Sequence, residues 1–314
     1  MALNLSKLTV ELLRTNPERR FSARQIAEAI FEAHPAECQA KKAKSVKIET
    51  DTDLIQQLVA EIGSKRPDFQ RKFPQVKTTE GRPRLFYWTE KPDTQEVAEA
   101  EQISTMPAAA LATPPLREVD LYPLLSQFLL SEHGVYSKRI DEKRASNRQG
   151  PGGNKWLYPD IVGMEDLTAD WHPEIKGAVS EYADQKVKLW SFEVKLLLNR
   201  SNVREAFFQA VSNSSWANLG YLAVAEIEGT ETMKELRMLF SLHGIGLIQI
   251  TPQNPAESQI LIPARERASV DWANCNRLAK ENKDFLEFVK LVRQFHQTGD
   301  PRVRDWDAVP VLTD

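Results

Sequence analysis

The amino-acid sequence predicts an α/β protein, α+β overall: a mixed β-sheet flanked by helices, preceded by a smaller front domain of helices and one hairpin. Three observations predict it. Residues 188–198 alternate between apolar and charged or polar side chains over much of their length, and helix and strand patterns alternate after them. The front of the chain instead carries helical runs followed by an aromatic strand. Between the two, residues 92–115 hold Pro92, Pro107, Pro114 and Pro115 among many Ala, Glu and Thr, with little periodicity. The expected domains are 1–91, a flexible linker 92–115, and 116–314.

Leu3, Leu5, Leu8, Leu12 and Leu13 recur at helical spacing and stop near Asn16-Pro17. Ser22 caps a second helix whose apolar stripe is Ile26, Ala27, Ile30 and Phe31. After the basic stretch 41–47, a third helix starts near Asp51 or Asp53, carries Leu54, Ile55, Leu58, Val59 and Ile62, and is expected to end at Gly63. A hairpin follows, from Phe73–Val76 through a Glu80-Gly81-Arg82-Pro83 turn to Leu85-Phe86-Tyr87-Trp88. Three short helices and a hairpin with a basic tip are the outline of a winged helix.

In the back domain a helix runs from Leu121 to about Glu132, and a strand is expected over Trp156–Met164. Residues 166–185 show weak patterning and read as a long loop or insertion. Beyond the 188–198 strand come a helix from about Val203 to Trp216, a strand Tyr221–Ala225, a helix Glu231–His243 and a strand Gly246–Ile250. One long amphipathic helix from Asp271 to about His296 closes the chain.

Composition narrows the class. With 314 residues, 41% hydrophobic and 27% charged, and no long apolar run, a soluble protein with no membrane partner is expected. Cys38 and Cys275 are too few for a disulfide framework or a thiolate zinc site, so a cytoplasmic location is the expectation. Residues 1–92 hold 17 Lys+Arg against 12 Asp+Glu, a net of +5 that leaves −8 for the rest. A basic front and an acidic back suit nucleic-acid docking followed by acid-based chemistry. Gly150-Pro151-Gly152-Gly153 has no Lys-Ser/Thr pair after it and opens no helix pattern, so it is no P-loop, and no Gly-x-Ser-x-Gly elbow supports acyl transfer.

The chemistry concentrates in Tyr158-Pro159-Asp160 and Ser191-Phe192-Glu193-Val194-Lys195. On a strand, Glu193 and Lys195 project to one face while Trp190, Phe192 and Val194 point to the other. Two carboxylates beside a lysine are what metal-assisted phosphodiester hydrolysis asks for. Mg²⁺ takes one or two protein carboxylates with water and substrate oxygens, and Mn²⁺ can replace it. Asp160 and Glu193 are the expected ligands, with the Val194 carbonyl as a third oxygen. Lys195 would orient the attacking water or steady developing charge. The plainer alternative is a turn aspartate and a surface Glu–Lys pair.

This pattern resembles the PD-(D/E)xK nuclease superfamily. The Ser191–Lys195 run, together with Phe207-Phe208-Gln209-Ala210-Val211-Ser212-Asn213-Ser214-Ser215-Trp216-Ala217, is similar to the HrgA-like restriction-associated family. The N-terminal segment resembles the HARE type of winged helix, and the two resemblances cover most of residues 1–250. They imply a restriction-endonuclease-like sheet flanked by helices, with Asp160 and Glu193 as ligands and Lys195 as the catalytic lysine. They also imply a glutamate from the preceding helix, for which Glu118 is the candidate and Asp120 its competitor. Gln209 matches a glutamine that Mrr-like relatives place near the phosphate or the metal-bound water, while Asn213 stands where those relatives have tyrosine.

For the front domain, groove reading would fall to Gln56 and Gln57 on the third helix, and phosphate contacts to Lys77, Arg82 and Arg84, with Lys44 in support. The expected activity is Mg²⁺-dependent DNA endonuclease, in restriction or defence against foreign DNA. DNA is the expected partner, and because double-strand cutting usually needs two active sites, a homodimer is compatible with this reading. The rival expectation is a DNA-bound regulator or adaptor with an inert nuclease-like domain.

Overall fold

A computed structural model describes residues 3–43, 48, 50–81, 83–105, 116–146, 156–181 and 185–307. The chain divides into two compact units: residues 1–93 with 227–233, and residues 94–226 with 234–314.

The first unit begins with α1 (Leu5–Thr15), capped by the Asn4 side chain, which accepts from the Lys7 N–H. A short strand β1 (Phe21–Ser22) leads into α2 (Ala23–Ala33), which opens on a capping box between Ser22 and Gln25. Next is α3 (Pro35–Ala43), a helix the periodicity did not reveal because it buries little beyond Cys38. A second capping box, Thr50 with Asp53, starts α4 (Asp51–Lys72). This helix does not stop at Gly63 as expected: it continues through Pro67, and its added turns bury Phe69. Strands β2 (Val76–Thr78) and β3 (Leu85–Trp88) pair antiparallel, and β1 joins β3 to give the order β1-β3-β2. Leu5, Leu13, Ile26, Leu54, Leu58, Ile62 and Phe86 form the core between helices and sheet. Residues 227–233 complete this unit along β2: Gly229 N–H donates to the Thr78 carbonyl at 3.0 Å, and Glu80 N–H to the Ile227 carbonyl at 2.8 Å.

The second unit opens with α5 (Asp93–Thr105), so the stretch expected to be linker begins as a helix; residues 106–115 lie outside the described residues. Helix α6 (Glu118–His133) ends at Gly134, whose φ of 62° is the left-handed conformation glycine adopts freely. The chain then forms β4 (Val135–Arg139), β5 (Ile161–Asp166), α7 (Pro173–Glu181), β6 (Val187–Leu198), α8 (Val203–Asn213) and β7 (Leu219–Ile227). It continues through α9 (Thr230–His243), β8 (Gly246–Gln249), β9 (Gln259–Ile262), α10 (Trp272–Glu281) and α11 (Lys283–Thr298).

A six-stranded mixed sheet in the order β4-β5-β6-β7-β8-β9 is flanked by helices, as expected. β4–β5, β5–β6 and β8–β9 pair antiparallel, and β7–β8 parallel. Alternation along the central strands sorts the core into two clusters. Ile161, Trp190, Phe192 and Val194 pack with Leu121, Leu125, Phe128 and Leu129 of α6. Val162, Met164 and Leu189 pack with Leu278, Phe285, Phe288 and Phe295 of α10 and α11.

Three expectations need correction. The weakly patterned 166–185 segment contains α7, and the strand read from Trp156 begins only at Ile161. The long closing helix is two helices, divided at Asn282. Its amide oxygen accepts from Asp284 N–H at 2.8 Å and Phe285 N–H at 3.2 Å, and its amide nitrogen donates to the Asp141 carbonyl at 2.9 Å. Among the described residues, no helix is long and apolar enough to cross a membrane.

Candidate active site

β6 is the organising element. Its alternation buries Phe192 and Val194 and turns Glu193 and Lys195 together to the other face. The Lys195 ammonium lies 2.6 Å from Glu193 Oε1, with Glu193 only 2% exposed.

Asp160 sits one residue before β5 and is tied twice to β6. Its N–H donates to the Phe192 carbonyl at 3.1 Å, and its Oδ2 accepts from the Val194 N–H at 2.7 Å. The second bond uses a main-chain donor, so the strand that carries Glu193 and Lys195 also fixes the second carboxylate. The expected contribution of Val194 was its carbonyl; the contact seen at Val194 is this N–H.

Glu118 is the first residue of α6, and the Tyr122 hydroxyl, one turn on, donates toward Glu118 Oε1 at 3.4 Å and Asp160 Oδ1 at 3.3 Å. Asp120 is used elsewhere, gripped by the Arg117 guanidinium at 2.7 and 3.0 Å and by the Arg117 N–H at 2.9 Å. Between the two candidates, Glu118 is therefore the one beside Asp160 and Lys195. Gln209 is buried on α8, and four residues on the Asn213 amide donates to Glu193 Oε2 at 2.9 Å. Asn213 is itself anchored, because its carbonyl accepts from Ser191 Oγ at 3.1 Å and Trp216 Nε1 at 3.0 Å. Tyr122 and Asn213 join this cluster without being among the site residues expected from the sequence. Their i, i+4 spacing from Glu118 and Gln209 was the available signal.

Burial, with like charge added, sets the electrostatics. Burial, and then the nearby Asp160, push the Glu193 carboxyl up to about 8, against the pull of Lys195 and Asn213. Burial also raises Glu118, to about 7; Lys195 opposes this while Asp160 and Glu101 add to it. Burial alone would lower Lys195, but Glu193, Glu118 and Asp160 outweigh it and hold the ammonium charged. Fully ionised, the three carboxylates would outnumber the one ammonium; burial instead keeps protons on Glu193 and Glu118 up to about 8 and 7. A small cavity beside them is lined by Glu118, Lys195, Leu197, Asn202 and, from α5, Val97 and Glu101.

The donor set bears on the expected Mg²⁺. Among the described residues, no three His, Cys, Asp or Glu side chains gather as a ready-made ligand set. The donor chemistry of Asp160 and Glu193 nonetheless fits an ion that takes one or two carboxylates and completes its shell with water and substrate oxygens.

Among the described residues read as DNA-contacting, Lys77, Arg84 and Gln57 bond to carboxylates of their own unit. Lys77 lies in β2, buried and bonded to Asp93 at 2.6 Å. Arg84 pairs with Glu80 at 2.9 Å, and Arg66 takes the other oxygen of that carboxylate at 3.3 Å. Gln56 and Gln57 are exposed on α4, with Gln57 bonded to Glu61 at 3.0 Å. Lys44 and Arg82 lie outside the described residues.

No family model and no curated protein matches the chain. Among solved structures, it is similar to the SPO1766 protein of unknown function from Silicibacter pomeroyi. The two share 15% identity over 59% of this chain and 94% of that one, with a TM-score of 0.30.

Proposed function

We propose that the second unit is a Mg²⁺-dependent DNA endonuclease of the PD-(D/E)xK type, HrgA-like, serving restriction or defence, and that the first unit is a winged helix that docks DNA. The observation that carries the reading is the convergence of Asp160, Glu193 and Lys195, with the Val194 N–H holding Asp160 and Lys195 holding Glu193. A surface Glu–Lys pair on an edge strand would need neither burial nor a second carboxylate, and β6 lies inside the sheet.

In this reading Asp160 and Glu193 hold the ion, which when bound polarises the phosphate and lowers the pKa of an attacking water. Lys195 presents a permanent positive charge where negative charge gathers on the phosphate oxygens. Glu118, which holds its proton up to about 7, sits where it can take a proton from water or return one to the leaving oxygen near neutral pH. Asn213 keeps Glu193 aimed.

The test is cleavage of supercoiled and linear DNA, methylated and unmethylated, with Mg²⁺ or Mn²⁺. Wild type should nick or cut, and Asp160→Ala and Lys195→Ala should each lose at least about 100-fold in rate. Both variants should still shift DNA in a gel. Equal activity in the variants refutes the assignment. A DNA shift with no cleavage under any divalent ion would leave the regulator instead.

A further inference from the structure

Asp160 is held on both oxygens, and the two holders come from different elements. Val194 N–H meets Oδ2 at 2.7 Å, and the Tyr122 hydroxyl meets Oδ1 at 3.3 Å. A carboxylate held on one oxygen can still swing about its terminal torsion, which is a soft one; held on both, it keeps one plane. Tyr122 shares the α6 face of Glu118, four residues earlier, and its hydroxyl also lies 3.4 Å from Glu118 Oε1. A phenol has a single proton, so it can serve only one of these acceptors at a time.

The ring is placed as carefully as the hydroxyl. The Arg139 guanidinium lies 4.8 Å from the Tyr122 ring centroid, and Arg139 belongs to β4, where it is the register partner of Ile161, next to Asp160. Tyr122 also packs against the core cluster beneath α6. The ring is thus fixed from both sides and the hydroxyl is aimed at the acids. A neutral donor suits the position, since it orients Asp160 without cancelling the negative charge that would attract a cation.

We infer that Tyr122 is a positioning residue for the cation site, fixing the plane of the Asp160 carboxylate. The inference rests on the nuclease reading above.

Tyr122→Phe removes the hydroxyl and keeps both the ring and the Arg139 contact, so its thermal midpoint should stay near that of wild type. Titration of the metal-free full chain with Mg²⁺ and with Mn²⁺ should show affinity weakened about 10- to 100-fold, the usual consequence of losing a partner that orients a ligand. Cleavage should show a fall in kcat at fixed metal with KM for DNA unchanged, partly restored by raising the metal concentration. A purely structural role would lower the midpoint and leave metal affinity alone. Wild-type affinity and wild-type kcat in Tyr122→Phe overturn this inference while leaving the nuclease reading standing. Wild-type protein that neither binds the ions nor cuts DNA overturns both.

Discussion

Glu193 and Glu118 hold protons well above the ordinary carboxylate range because burial strips them of water and Asp160 adds like charge. Such groups couple folding to pH. In the unfolded chain they titrate near the usual 4.5, and in the fold near 8 and 7. Between those values the folded state binds more protons, so this contribution to stability is full below about 4.5 and is lost as pH rises through 7 to 8. Thermal unfolding of the metal-free chain should therefore fall between pH 6 and pH 9, and Glu118→Gln should raise the midpoint at pH 8 and flatten the profile. A midpoint that rises over that range would contradict the crowding. The strand period made the shared face of Glu193 and Lys195 legible in the sequence. The partners of that face were harder to read, because Tyr122 reaches Asp160 across 38 positions and Asn213 reaches Glu193 across 20.

Elements were legible where an apolar stripe marks them. α1, α2, β3, β6 and α8 fall close to where periodicity placed them, and β6 stands out because Phe192 and Val194 are fully buried. Phe192→Ala should cost about 3–5 kcal/mol in denaturant unfolding, with cleavage lost only in proportion to the unfolded fraction. Punctuation was harder. Gly63 resembled a stop but lies within α4, whereas Asn282, inside an unbroken amphipathic pattern, ends one helix and caps the next. That residue is 1% exposed and bonds Asp284, Phe285 and Asp141, so Asn282→Ala should cost about 1–2 kcal/mol, read from the same unfolding curves. A change near zero would mean that the helix junction is set by chain geometry alone. α3 and α7 carry too few buried residues for a stripe to show.

At the scale of the molecule, the basic front was legible as a sum, while the pairing of its charges was not. Lys41 pairs with Glu61, Lys42 with Asp51, Lys77 with Asp93, and Arg66 and Arg84 with Glu80. Much of that positive charge is spent inside the unit, which predicts that Lys77→Ala lowers the thermal midpoint while leaving DNA affinity and its salt dependence nearly unchanged. A clear loss of salt-dependent affinity would show that Lys77 leaves Asp93 for a phosphate.

The strip at residues 227–233 belongs to the first unit although the chain on either side of it belongs to the second. The amino-terminal portion is therefore not a detachable module. A fragment starting at Thr94 would retain Ile227 and Gly229 but lose Glu80 and Thr78, the residues they bond. Such a fragment should melt lower than the intact polypeptide and be cut by proteases near position 228. Exchanging front ends between related chains would meet the same obstacle unless this strip were exchanged with them.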